Sequence, residues 1–220
     1  MMIAVMGAAG NVGSHVTDLL LRQGEEVRVF EHQRKLHAFC ERGAEVVRGE
    51  ATSVEDLESL FEDAAAALVL LPENLADAHF VANRSEMSRA IAGALRETRV
   101  SYVVALSVVG ADQENVAGPP AGLREYEERL FELDGLNVLA LRSAFYMDNL
   151  LANLPLIRTQ KINGSAIRSD VKFPMIATRD VAREAAKRLV RRDFTGHQAK
   201  LLLGPEDVSM REATATMGSL

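Results

Sequence analysis

The sequence predicts an α/β fold, a doubly wound parallel sheet with a small C-terminal region appended. Three observations point there. Residues 3–13 read Ile-Ala-Val-Met-Gly-Ala-Ala-Gly-Asn-Val-Gly, an apolar strand that runs into Gly7, Gly10 and Gly13 and then into an amphipathic stretch from Val12 to Leu21. Strand-like apolar runs alternate with helical patterns as far as Arg142, the rhythm of βαβ units. The longest apolar run, Ala64 to Pro72, suits a strand at the centre of a sheet covered on both faces.

The elements follow in order. Strand one is Met2–Met6, and helix one ends near Gly24, where a C-terminal cap belongs. Strand two is Glu26–Glu31. A helical stretch through Leu36 and Phe39 stops at Gly43, before strand three at Ala44–Arg48. Thr52-Ser53-Val54-Glu55-Asp56 supplies the N-cap and first-turn acids of a helix through Leu60. Strand four is Ala66–Leu71, ended by Pro72. A long helix is expected from Leu75 to Thr98, then strand five at Ser101–Leu106, rich in β-formers. Prolines and glycines make 110–122 a loop. A charged helix, Leu123–Leu133, leads through Gly135 to strand six, Asn137–Leu141. Six strands with crossovers is the count of a Rossmann-type dinucleotide fold.

Beyond Arg142 the rhythm changes. Residues 143–176 read as irregular, with Pro155, Gly164 and Pro174. Thr178-Arg179-Asp180 opens a helix through Leu189, Gln198–Leu203 reads as a strand, and Ser209-Met210-Arg211-Glu212 is a capping box. We therefore expect a dinucleotide-binding domain over 1–142 and a small substrate region over 143–220, interleaved with the core. That region is expected either to be truncated or to dock its short last helix on the core or on another subunit.

Composition narrows the classes. The chain has 220 residues, a net charge of −6 and a single cysteine, Cys40. No internal disulfide can form, which points to a reducing cytoplasm. No apolar run is long enough to span a bilayer. No dense basic patch suggests a nucleic-acid surface. The five histidines are scattered without metal-ligand spacing, and neither a nucleophile elbow nor a Gly-x-x-x-x-Gly-Lys loop occurs.

The glycine triplet carries the chemistry. A strand that turns sharply into a helix aims unpaired N–H groups at an anion. Gly7 permits the turn, Gly10 keeps side chains off the phosphates, and Gly13 lets helix and strand approach. Residues Gly7, Ala9, Gly10, Asn11, Val12 and Gly13 are thus expected around a pyrophosphate. Glu31 lies 18 residues beyond Gly13, where an acid reads the ribose hydroxyls of NAD. His32, Arg34 and Lys35 follow at once and favour the 2′-phosphate of NADP, so the two signals oppose each other and the cofactor is NAD or NADP. Glu50 and Ala51, after strand three, are expected beside the adenine, with Glu50 alternatively a surface acid before the helix cap. Leu70, Leu71 and Pro72 end strand four and are expected either to face the cofactor through backbone and apolar contact or to belong to the core only. Ser107, at the end of strand five, could bond a substrate oxygen or the nicotinamide ribose, or satisfy the turn backbone.

Reduction of a ketone wants a proton donor such as a tyrosine tuned by a lysine four residues on. Here Tyr102, Tyr126 and Tyr146 are each followed at that distance by leucine. No catalytic residue is assigned. Electron-poor acceptors such as quinones suit this site, because their reduced oxygens are far less basic than an alkoxide.

Several segments together resemble the NmrA-like family of atypical short-chain dehydrogenases/reductases. They are Gly7-Ala-Ala-Gly-Asn-Val-Gly13, Val47-Arg-Gly-Glu50, Val104-Ala-Leu-Ser-Val-Val-Gly-Ala111, Leu141-Arg-Ser-Ala-Phe-Tyr-Met-Asp-Asn149, Ala177-Thr-Arg-Asp-Val-Ala182 and Leu203-Gly-Pro-Glu206. The resemblance implies an NAD(P) domain with a small substrate region, in a family of NAD(P)H quinone oxidoreductases and dinucleotide-binding redox sensors. It implies that Ser143, Ala144, Phe145 and Tyr146 lie near the nicotinamide, with Phe145 and Asn149 lining the substrate pocket. Family members that prefer NADP often carry arginine where His32 stands, the usual Gly-Asp after strand three is Gly49-Glu50 here, and many relatives continue further at the C-terminus. Two hypotheses follow. One is an oxidoreductase passing hydride to a quinone-like small molecule. The other is a redox sensor that binds NAD(P) and acts through a regulatory protein partner without turnover. A second copy of the chain is a further candidate partner.

Overall fold

A computed structural model describes residues 1–31, 36–72, 79–114, 120 and 122–218. Its main sheet has seven strands: β1 (Met2–Val5), β2 (Glu26–Glu31), β3 (Glu45–Arg48), β4 (Ala66–Val69), β5 (Tyr102–Val108), β6 (Asn137–Ser143) and β9 (His197–Leu202). They run in the order β3-β2-β1-β4-β5-β6-β9, and every pairing is parallel. The chain works outward from β1 to β3, then crosses back to β4 on the other flank of β1. The crevice at the carboxyl ends of β1 and β4 is therefore the topological switch point, where such sheets bind ligands.

Helices cover both faces. On one lie α3 (Val54–Phe61), α4 (Phe80–Glu97) and α5 (Leu123–Phe131), which bury Leu57, Phe61, Ile91, Leu95, Tyr126 and Leu130. On the other lie α1 (Asn11–Arg22) and α7 (Thr178–Arg191), which bury Val16, Leu20, Val181, Ala185 and Leu189. β4 sits between them, buried at all four residues, as its unbroken apolar run requires. The short helix α2 (His37–Cys40) links β2 to β3. The expected start of the long helix, at Leu75, lies outside the described residues; α4 begins at Phe80.

Two expectations need correction. The strand read at Gln198–Leu203 forms as β9, but it joins the six expected strands of the main sheet as a seventh, because it pairs along β6 from Val138 to Ser143 and satisfies a ladder edge that β6 would otherwise expose. The segment 143–176 is not irregular. It holds β7 (Phe145–Tyr146), a 3-10 helix over Met147–Asn153, α6 (Leu154–Gln160) and β8 (Lys172–Ile176). These are too short to show a period. β8 pairs with β7 on one side and with β10 (Asp207–Ser209) on the other, and α8 (Met210–Gly218) follows. Leu150, Met175, Met210 and Ala213 form the small core of this unit, so the last helix docks on the chain itself. The capping box forms as expected: the Glu212 amide donates to Ser209 Oγ at 3.2 Å, and the Ser209 amide donates to the Glu212 carboxylate at 2.8 Å. Among the described residues no helix is long and apolar enough to cross a membrane.

Candidate functional site

The first corner is made by removing side chains. Gly7 leaves β1 at φ +68°, a left-handed conformation that costs other residues strain. The Gly10 amide donates to Gly7 O at 2.8 Å and closes the turn; the Ser14 amide donates to Gly10 O at 2.9 Å and begins α1. A Cβ on Gly13 would sit 2.1 Å from Gly7 O, so helix and turn can meet only at glycine. Gly10 itself is exposed. No side chain caps α1, and its first turn carries no acid. The leading N–H groups, which have no partner within the helix, thus face an uncluttered surface at the positive end of the helix dipole. Ala9 and Asn11 are exposed beside Gly10, whereas Val12 is buried in the core.

Neighbouring strands supply the walls. Leu70 lies over Gly7, its Cδ2 2.6 Å from where a Cβ would stand. Leu71 is buried in the core cluster and Pro72 is exposed. After β3, the Glu50 amide donates to the Asp56 carboxylate at 2.8 Å. That carboxylate fills the space a Gly49 side chain would need. Asp56, which the sequence marks only as a first-turn acid, thus holds the loop beside Ala51.

Glu31 ends β2 with both oxygens engaged by protein donors. One accepts from the Leu36 amide at 2.7 Å, the other from Arg48 Nε at 2.6 Å. These bonds, the Leu36 amide foremost, hold its carboxyl below the usual range against the opposing effect of burial. His32 and Arg34 lie outside the described residues.

The second corner is made by adding side chains. Ser107 and Arg142 stand in register on β5 and β6. Between them reaches Glu127 from α5, only 3% exposed. Ser107 Oγ donates to Glu127 Oε1. The Arg142 guanidinium donates to both Glu127 oxygens, Nε at 3.1 Å and Nη2 at 2.7 Å, and its Nη1 pairs with Asp112 at 2.8 Å. The hydrogen bond to Glu127 leads in raising the Arg142 pKa above its ordinary value. Ser107 thus spends its one proton on Glu127 and turns an acceptor to whatever approaches it. Neither role expected from the sequence includes this network.

The residues after β6 part company. Phe145 packs edge-on against Phe173, 5.6 Å between centroids, within the small core, while Tyr146 packs on the main core. Adjacent strand residues face opposite ways, so the two do not share one wall. Asn149 is exposed. Asp148, in the same segment, accepts from the Thr178 amide at 2.9 Å and caps α7 in place of Ala177. Burial pushes its carboxyl up, but hydrogen bonds, that from the Thr178 amide foremost, together with the nearby His15 outweigh this and hold it below the ordinary value. Among the described residues no cluster of His, Cys, Asp and Glu could hold a metal ion.

The NAD(P)H-binding family profile matches residues 7–153. No curated protein sequence matches the chain. An NADPH-dependent quinone oxidoreductase from Escherichia coli, solved with NADPH, superposes with a TM-score of 0.81 at 20% identity, covering 99% of this chain and 76% of that one. A nucleoside-diphosphate-sugar epimerase from Staphylococcus aureus gives 0.81 at 20% identity, covering 100% and 76%. A triphenylmethane reductase from Citrobacter sp., complexed with NADP(H), gives 0.79 at 18% identity, also covering 100% and 76%. At these identities the likeness is one of fold.

Proposed function

The chain belongs to the NAD(P)H-binding family, and we propose that it is an NAD(P)H-dependent oxidoreductase acting on a quinone-like or other electron-poor small molecule. One observation carries this reading: an α1 N-terminus bare of side chains, opening at the switch point of a parallel sheet. The residues fit the coenzyme, because the Gly13 approach leaves no room for even a methyl group and Gly10 is exposed with no side chain to hold a phosphate away. When bound, the reduced nicotinamide supplies a hydride.

The chain's own contribution is binding, orientation and the restraint of protons. Gly7, Ala9, Gly10, Asn11 and Gly13 would hold the pyrophosphate through backbone N–H groups, with Val12 anchoring the turn from the core. Leu70 would close the turn from above, and the Glu50–Ala51 loop, held by Asp56, would flank the adenine. Phe145 and Asn149 would line the substrate pocket, as the resemblance implies. No tyrosine is set up as an acid by a lysine. Tyr126 is fully buried, and Tyr102 lies at the amino end of β5, remote from the crevice. Ser107 has committed its proton to Glu127. A site so poor in proton donors suits an acceptor whose reduced oxygen is weakly basic. It favours proximity as the main source of rate. The sequence resemblance to NmrA-like members points the same way.

Calorimetric titration with NADH and NADPH, followed by a quinone panel monitored at the reduced-nicotinamide band, tests this reading. Binding with oxidation is expected. Tight binding with no oxidation by any acceptor would remove the oxidoreductase. Gly10→Val should abolish binding while leaving the melting temperature nearly unchanged, because a branched side chain would occupy the phosphate position; unaltered affinity would move the site elsewhere.

A further inference from the structure

We propose that Arg48 is the residue that selects the coenzyme, and that it selects the 2′-phosphorylated form; this rests on the dinucleotide reading of the glycine corner. β2 and β3 end side by side, with Glu31 and Arg48 directly in register. An acid at the end of β2 ordinarily reads a free ribose 2′-hydroxyl. Here that acid has another task. Its Oε2 accepts from the Leu36 amide at 2.7 Å and so closes the connection from β2 to α2. Its Oε1 accepts from Arg48 Nε at 2.6 Å.

Exposure separates the two partners. Glu31 is 8% exposed, whereas the Arg48 side chain is 72% exposed. The anion is sunk in the sheet edge and the cation stands over it in solvent. A guanidinium carries five N–H donors, and the bond to Glu31 uses only the one on Nε. No other described residue bonds Arg48, so the terminal nitrogens remain for an incoming anion. Their planar fork matches a phosphate.

Charge points the same way. The Arg48 ion pair cancels Glu31, so the carboxylate that would repel a 2′-phosphate is neutralised at contact distance. A 2′-hydroxyl gains nothing from the open donors of the guanidinium; a phosphate dianion does.

The test is calorimetric titration of the full chain with NADPH and NADH, for wild type, Arg48→Ala and Arg48→Lys, with thermal melts to confirm folding. Wild type should prefer NADPH. Arg48→Ala should lower the NADPH-to-NADH affinity ratio by about tenfold to a hundredfold, the worth of hydrogen bonds to a charged group. Arg48→Lys should recover only part, because one ammonium must serve both Glu31 and the phosphate. A wild type that prefers NADH, an unchanged ratio in Arg48→Ala, or an equal loss for both coenzymes would overturn the assignment while leaving the dinucleotide site intact. A wild type that binds neither coenzyme would overturn both.

Discussion

At the β1–α1 corner the chain discards side chains, with Gly7, Gly10 and Gly13 bringing bare backbone to the surface. At the β5–β6 corner it does the reverse, packing Ser107, Glu127, Arg142 and Asp112 into one network. Both corners lie at the carboxyl edge of one sheet. The first leaves donors open for an anion. The second uses its charges on one another and presents a hydroxyl oxygen whose proton is already placed. Rigidity is thus achieved by steric contact in one case and by charge pairing in the other, and the two should fail differently.

The largest effect is expected from Glu127→Ala. It leaves Arg142, mostly buried, with only the half-exposed Asp112 as partner and should lower unfolding stability by about 3–5 kcal/mol, as broken buried ion pairs do. Denaturant titration measures it. A loss under about 1 kcal/mol would place the network among surface ion pairs and break the contrast.

Gly13→Ala comes next. Its methyl group would have to displace the Gly7 carbonyl, a backbone atom that cannot swing aside, so a loss of about 1–3 kcal/mol is expected, as for other overpacked sites. NAD(P)H affinity should fall with it, because in the proposed reading the same turn would present the phosphate donors. Full affinity in a destabilised variant would uncouple packing from binding at this corner.

The smallest effect sharpens the role of burial. Glu212, in the exposed capping box, has its pKa lowered from 4.5 to about 2, first by Lys172 and then by the Ser209 amide and hydroxyl. The unfolded carboxyl protonates first as pH falls, so this contribution is complete above pH 4.5 and is lost between there and about 2. A shallow acid-side decline in stability should follow, and Glu212→Gln should flatten it. A decline as steep as the Glu127→Ala loss would mean that exposure does little to weaken such a pair.

The two corners also differ in how much of each was legible beforehand. Strand β2 falls at Glu26–Glu31 as expected, and the glycine turn is readable because its parts lie within seven consecutive residues. Glu31 was legible as the acid at the end of a strand, but not its engagement by Leu36 and Arg48, since Arg48 arrives only through the β2–β3 register. The Glu127 network draws on three separate elements, and no local pattern links Asp112, Glu127 and Arg142. Residues 143–176 hid their elements for a related reason: a two-residue strand such as β7 has no period of its own, and it forms because β8 pairs with it and the α8 unit packs beneath.

By itself the sequence determined the βαβ rhythm, the buried centre of the sheet and the bare turn before α1, because each depends on residues close in the chain and on backbone geometry that side chains either permit or forbid. The tertiary structure alone decided which charges meet around Glu31 and Glu127. Ion pairs form across the register of neighbouring strands and from helix to sheet, and those distances come into being only when the chain folds.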